Sequence, residues 1–321
     1  MKRDFISFSP FSTAELNEVI TLSHWLKEDR PADFRPLEGK TAALIFEKPS
    51  LRTRVSFEVG IRQLGGECTF LTQEHIGVST RESVRDIAEV LSRYCDLIIA
   101  RTMKHETVEF LSTYATVPVI NALTDYLHPC QILADAFTLI ERGLFLKGNK
   151  ITFIGDGNNV VNSWLELMEK YPLTFTLACP EGYEPDAALV ARAQKNGLSE
   201  IKITHNPAEA AEDASVLYTD VWVSMGDESQ SDKRRRDFRN YQINSQLLAL
   251  AQPDCVVMHC LPAHRGEEIS AEVLEGRQSV VLDQAENRLH IQKGIIAFLV
   301  EKQSTIRLEP TPFAESTLVY P

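Results

Sequence analysis

The chain's 321 residues suffice for two domains that each bury a core of their own. With 44% hydrophobic and 24% charged residues it has an ordinary globular balance, which excludes a disordered or collagen-like chain. A formal charge of −12 excludes a general affinity for nucleic acid or anionic membrane, because both need a net basic face.

Short β-branched apolar runs alternate with stretches of helical period along nearly the whole length. That pattern predicts an α/β protein with two doubly wound parallel-sheet domains and an interdomain cleft. Met1 to Pro10 breaks its apolar run too early for a secretory signal, and Ser12-Thr13-Ala14-Glu15 has capping-box spacing, predicting a helix to about Lys27. Strands follow at 41–46, 68–71, 97–100 and 117–121, with helices near 52–64, 83–94 and 105–114. A helical run from Pro129 ends at Gly143, and Gly148 precedes the next strand, which sets the boundary between domains 1–145 and 146–285. Further strands are predicted at 151–154, 174–178, 201–204, 216–219, 256–259 and 280–282. Helices fall near 160–170, 187–195, 244–251 and 286–301, the last returning to the first domain, and 303–321 forms a tail. No apolar run approaches the ~18 residues of a membrane span. The six cysteines (Cys68, Cys95, Cys130, Cys179, Cys255, Cys260) never form CxxC, which fits a reducing, cytoplasmic setting and argues against a structural zinc. Residues 1–150 carry 18 Lys+Arg against 20 Asp+Glu, and the rest 15 against 25; the near-neutral half suits an anion and the acidic half a cation.

In doubly wound sheets, ligands meet the carboxyl ends of strands. After 41–46, Ser50-Leu51-Arg52-Thr53-Arg54 enters a helix, so free N–H groups, two hydroxyls and two guanidiniums converge as a phosphate requires. The same residues also describe a Ser-capped helix with solvated arginines. There is no GxxxxGK[ST], so a nucleoside triphosphate is not the expected anion. The next strand ends supply Arg101 and Asn121, then His128-Pro129-Cys130-Gln131, where an imidazole at a helix mouth can donate to a substrate carbonyl. In the second half, Gly155-Asp156-Gly157-Asn158-Asn159-Val160 lacks the third glycine of a dinucleotide fingerprint and offers two amides instead. Asp220 to Gly226 and His259-Cys260-Leu261-Pro262 place a carboxylate and a thiol at strand ends, a pairing suited to an amine. His259, Cys260 and His264 lack the second ligand pair that a metal site needs. Lys233 to Arg236, set among acids, is expected to be a solvated, mobile loop.

Together, Ser50-x-Arg52-Thr53-Arg54, Arg101, His128-Pro129-x-Gln131, Asp220-x-x-x-Ser224-Met225-Gly226 and His259-Cys260-Leu261-Pro262 resemble the transcarbamoylase family, in the expected order over residues 8–302. The S-x-R-T-R and H-P-x-Q motifs mark the family generally, through its carbamoyl phosphate domain, and the D-x-x-x-S-M-G and H-C-L-P motifs are similar to its ornithine branch. The resemblance implies carbamoyl transfer from carbamoyl phosphate to L-ornithine, giving L-citrulline and phosphate, with no cofactor and no metal. It implies that Ser50, Leu51, Arg52, Thr53 and Arg54 hold phosphate, that Arg101, His128 and Thr53 polarise the carbamoyl oxygen, and that Gln131 binds its amide. Arg288, Cys260 and Leu261 would also reach carbamoyl phosphate, while Asn159, Asp220, Ser224 and Met225 would take ornithine, with Asp220 and Cys260 near the reacting amine. It further implies a homotrimer, or a multiple of trimers, in which a neighbour's loop completes the site. Gly77 falls where the family's ornithine enzymes carry Gln or His, leaving His75, Ser79, Thr80 or Arg81 to substitute. The competing readings are a transcarbamoylase for another amine, an NAD-dependent oxidoreductase using Gly155 and Gly157, and a silent binding paralogue.

Overall fold

The computed structural model describes residues 2–28, 33–77, 81–195, 197–223 and 228–301, so Ser79, Thr80, Ser224, Met225 and the 303–321 tail lie outside the described residues. Two parallel sheets carry the fold. The first joins β1 (Thr41–Phe46), β2 (Glu67–Thr72), β3 (Leu97–Arg101) and β4 (Val119–Leu123) in the order β2-β1-β3-β4. The second joins β5 (Lys150–Ile154), β6 (Thr174–Ala178), β7 (Glu200–Thr204), β8 (Val216–Thr219) and β9 (Val256–His259) in the order β7-β6-β5-β8-β9. Helices cover both faces of the inner strands, which is why β1, β3 and β8 read as unbroken apolar runs, whereas the edge strands β2 and β7 alternate with exposed polar residues.

Strand order reverses between β1 and β3 in one sheet and between β5 and β8 in the other. Crevices at such switch points receive ligands. Register brings the strand ends level: Phe46 lies beside Arg101, and Thr219 beside His259. The residues that follow are therefore neighbours in space.

The helix Thr13–Glu28 starts on a reciprocal cap, in which Glu15 N–H donates to Ser12 Oγ and Ser12 N–H to the Glu15 carboxylate. Against it lies the last helix, Val281–Glu301, which also packs on Leu51–Gln63 and Pro129–Glu141. Gly294 permits that approach: a Cβ there would meet Ser23 Oγ at 2.0 Å. The strand expected at 280–282 does not form. A single bridge joins Ser279 to Val257 beside β9, after which Gln284 N–H bonds Val280 O and the helix begins. The helix expected at 244–251 is confined to Ser245–Leu248. Among the described residues, no helix is long and apolar enough to cross a membrane.

The basic run also departs from expectation. Residues 233–236 lie in the helix Ser231–Phe238, and Arg234 is buried, ion-paired with Asp156, donating Nε–H to Trp222 O and lying over the rings of Tyr183 and Phe238. Helical spacing turns this one arginine inward while Lys233 and Arg235 stay in solvent. Removing one partner of a buried ion pair strands the other, so Arg234→Met is expected to cost about 3 kcal/mol in urea unfolding. Under the solvated-loop reading the midpoint would stay where it is.

Candidate active site

The first crevice opens on Ser50, which caps the helix Leu51–Gln63 in extended conformation, its Oγ accepting from Thr53 N–H at 3.3 Å. Successive side chains on a helix diverge by about 100°, so the motif splits. Thr53 is buried and Arg52 half-buried, whereas Leu51 is 73% exposed. Arg54 turns away, donating to Glu58 at 2.8 Å and lying 3.7 Å over the Phe70 ring.

Arg101 ends β3 and is 6% exposed. Its strand end is braced by Glu47, which donates its N–H to Arg101 O and receives the N–H of Met103 on its carboxylate. Arg288 enters from the last helix, donating to Gln131 Oε1 at 2.5 Å and to Thr53 Oγ1 at 3.2 Å. His128 stands before Pro129, its N–H bound to Ser163 Oγ at 2.7 Å. His128 Nδ1 and Arg288 Nε are buried with no partner among the described residues, a cost that a polar ligand would offset. Burial and then the repulsion of Arg288 and Arg52 bring Arg101 down to about 10. Burial, followed by the same kind of crowding from Arg288 and Arg101, holds the His128 imidazole far below its usual range and hence neutral at pH 7. The cluster lacks an anion's worth of negative charge.

The second crevice is built at the ends of β8 and β9. Asp220 Oδ1 accepts from Cys260 Sγ and from Val221 N–H, both at 2.8 Å, and Oδ2 accepts from Asn158 Nδ2 at 3.0 Å. Asn158 also caps the helix Asn159–Met168 through Oδ1, so one side chain fixes helix and carboxylate together. Asn159 instead reaches across to the first lobe, donating to Thr124 O at 2.6 Å. Burial and then the Asp220 charge push the Cys260 thiol well above its ordinary range, so it stays protonated.

Behind this rim His259 Nδ1 accepts from Leu261 N–H at 2.8 Å while Nε2 bonds Glu268 at 3.0 Å. Burial alone would raise Glu268, yet the bonds from His259 and His264 outweigh it and hold the carboxyl below its usual range. No motif announced Glu268. The only available signal was that a histidine ending a buried strand needs a polar partner, which a carboxylate in the following loop can supply. Asp220, His259 and Cys260 do gather their ligand atoms within 4.8 Å, but both ring nitrogens of His259 are engaged in holding the turn. The glycine-rich turn is filled by the chain itself: a Cβ on Gly157 would meet Pro185 N at 2.4 Å, and Gly157 N–H bonds Tyr183 O. Its glycine serves packing, which removes the ground for the dinucleotide reading.

The two crevices confront each other. Burial lowers the pKa of Arg52, and Asp220, within electrostatic reach, opposes that lowering. Arg288, carried on the helix that follows the second sheet, bonds Thr53 and Gln131 of the first lobe. The guanidinium cluster and the acid-and-thiol rim therefore lie within electrostatic reach of one another.

Known proteins show the same two-part organisation. The family model "Aspartate/ornithine carbamoyltransferase, carbamoyl-P binding domain" matches residues 3–141, and the model of the family's "Asp/Orn binding domain" matches 147–299. An ornithine carbamoyltransferase of Chlorobaculum tepidum is 53% identical over 304 residues, covering 93% of this chain and 90% of its own. One from Syntrophus aciditrophicus is 46% identical over 302 residues, covering 94% of this chain and all of its own. A solved ornithine carbamoyltransferase from Pyrococcus furiosus superposes with a TM-score of 0.89 at 44% identity, covering 95% and 98% of the two chains. With matching models along nearly its whole length, and relatives this similar over nine-tenths of it, the chain belongs to the aspartate/ornithine carbamoyltransferase family.

Proposed function

We propose that the protein transfers the carbamoyl group of carbamoyl phosphate to the δ-amine of L-ornithine, giving L-citrulline and phosphate. The observation that carries this reading is the cluster of Arg52, Arg101 and Arg288 facing Asp220 and Cys260 over one gap. The 1–145 lobe, with the returning last helix, takes carbamoyl phosphate, and the 146–285 lobe takes ornithine. Ser50, Arg52 and Thr53, with the backbone N–H groups from Leu51 onward, hold the phosphate, and Arg54 joins them by leaving Glu58. Arg101, His128 and Thr53 meet the carbamoyl oxygen, Gln131 meets its amide, and Arg288 with Cys260 and Leu261 closes that end. Asp220 and Asn159, with Ser224 and Met225, receive the amino acid.

An alkyl ammonium with a pKa near 10.4 is nucleophilic in only about one molecule in 10³ at pH 7. Enclosure beside three guanidiniums disfavours its protonated form and raises that fraction. The free δ-amine attacks the carbamoyl carbon, a C–N bond forms, and charge collects on the carbamoyl oxygen, where Arg101 and one N–H of the neutral imidazole stabilise it. The C–O bond to phosphate then breaks with its electron pair leaving on phosphate, which takes up the amine's surplus proton. The thiol of Cys260 stays protonated and is not a nucleophile; it fixes Asp220.

The family resemblance supports a cytoplasmic homotrimer in which the segment after Gly77 completes a neighbour's site. Exposed Arg81 is the described candidate for that contact, and sedimentation of the free enzyme at three chain masses would support it. Acceptor specificity tests the reaction itself. Ornithine is expected to exceed aspartate, putrescine and acetylornithine by at least ~10² in kcat/KM: aspartate sets a second carboxylate against Asp220, and the other two lack a charge the gap can pair. A preference for any of the three would overturn the assignment.

A further inference from the structure

A buried carboxylate that the reaction scheme leaves unused lies between the two lobes. Asp135, on the helix Pro129–Glu141, is 0% exposed. Its Oδ1 accepts two amide donors, Gln131 Nε2 and Gln284 Nε2, each at 2.8 Å, and its Oδ2 accepts the Tyr218 hydroxyl at 2.7 Å. The three donors come from the same helix, from the last helix and from β8, so one group ties both lobes together. Burial pushes Asp135 up to about 6 against the pull of these bonds, which leaves it ionised at neutral pH. Burial and the adjacent charge push the Tyr218 phenol well above its ordinary range, so it remains a donor.

An ionised carboxylate only accepts hydrogen bonds. A primary amide beside it must therefore present its NH₂ to the carboxylate and its oxygen to the other side. In Gln131 the oxygen faces the site and accepts from Arg288 Nη1, with its second lone pair available to a carbamoyl N–H. In Gln284 the oxygen accepts His259 N–H at 2.9 Å, beneath the Cys260 turn. We propose that Asp135 is a positioning residue, whose negative charge dictates the orientation of the Gln131 amide and thereby makes the carbamoyl pocket prefer NH₂ over CH₃. The inference rests on the assignment of Gln131 to the carbamoyl amide.

The test compares binding of carbamoyl phosphate with acetyl phosphate, which replaces NH₂ by CH₃, in the parent, Gln131→Ala and Asp135→Asn proteins, each checked for its melting temperature. The parent should favour carbamoyl phosphate at least ~10-fold, since an unmatched acceptor costs ~1.4 kcal/mol or more. In Asp135→Asn the neighbouring amide can donate as well as accept, so only the Arg288 donor still holds the Gln131 amide in its orientation, and the preference should fall to ~2-fold with acetyl phosphate affinity unchanged. A merely structural role would weaken both ligands alike. The double variant should lose no more than Gln131→Ala alone. If Gln131→Ala loses the preference and Asp135→Asn keeps it, the inference fails while the site assignment stands. If Gln131→Ala keeps it, or the parent shows none, the assignment of Gln131 falls and the inference with it. Should Asp135→Asn not fold, Asp135→Ser removes the charge with less crowding and is judged by the same ratio.

Discussion

Arg101→Ala is expected to lower kcat/KM for carbamoyl phosphate roughly 10³-fold, the larger end of what losing one preorganised donor to a developing oxyanion costs. The same variant should keep a melting temperature within a few degrees of the parent, for a reason visible in the ionisation of the cluster. Burial first, then Arg288 and Arg52, lower the Arg101 guanidinium to about 10. A base whose pKa is lower folded than unfolded destabilises the fold by its charge. That penalty is fully present below the folded value and fades as pH rises from about 10 toward the ordinary arginine range. Alanine removes the penalty at neutral pH, which offsets the loss of side-chain packing. Carbamoyl phosphate, which supplies the missing negative charge, should raise the melting temperature of the parent and do so far less for the variant. Full activity in Arg101→Ala would remove the assignment, and so would a loss of activity that followed a collapse of the fold.

How far the sequence reveals this site depends on the distance between the groups that make it. Strands β1, β6 and β8 match their apolar runs to the residue, because inner strands of a covered sheet are apolar on both faces and end where polarity returns; β9 matches too, since this edge strand is buried along its whole length. The last helix hides its start for the opposite reason. Its first turns invert the usual pattern, with Leu282 exposed while Gln284, Asn287 and Arg288 are buried, so no apolar-in, polar-out stripe marks them. Val280-Val281-Leu282 then looks like a strand. Arg234 is indistinguishable from its exposed neighbours in composition; its partner Asp156 is 78 residues away in sequence. Glu268 and Asp135 are single acids without a motif, and only the fold brings His259 to one and Gln131, Gln284 and Tyr218 to the other. The motif Ser50 to Arg54 names five residues, but a helix cannot aim Arg52 and Arg54 at one point without rearrangement, and here they part.

Asp220→Asn should separate the two substrates. The change keeps the size of the side chain and removes its charge, leaving Cys260, Val221 and Asn158 facing a neutral amide. The gap then holds Arg52, Arg101 and Arg288 without the nearest carboxylate, and a cationic amino acid entering it meets uncompensated positive charge. Losing one partner of a desolvated charge pair costs about 3 to 4 kcal/mol, so kcat/KM for ornithine should fall roughly 10²- to 10³-fold, whereas the binary affinity for carbamoyl phosphate should hold or tighten, since a negative neighbour has been taken away. The thiol supplies an independent reading. Cys260 is held protonated by burial and then by Asp220, so with the second cause gone its pKa should drop, and iodoacetamide should modify it faster in the variant than in the parent. Weaker carbamoyl phosphate binding at unchanged ornithine affinity would place Asp220 on the phosphate side of the gap. The opposition of a cationic lobe to an anionic one, on which the choice of an amine as acceptor depends, would then have the wrong sense.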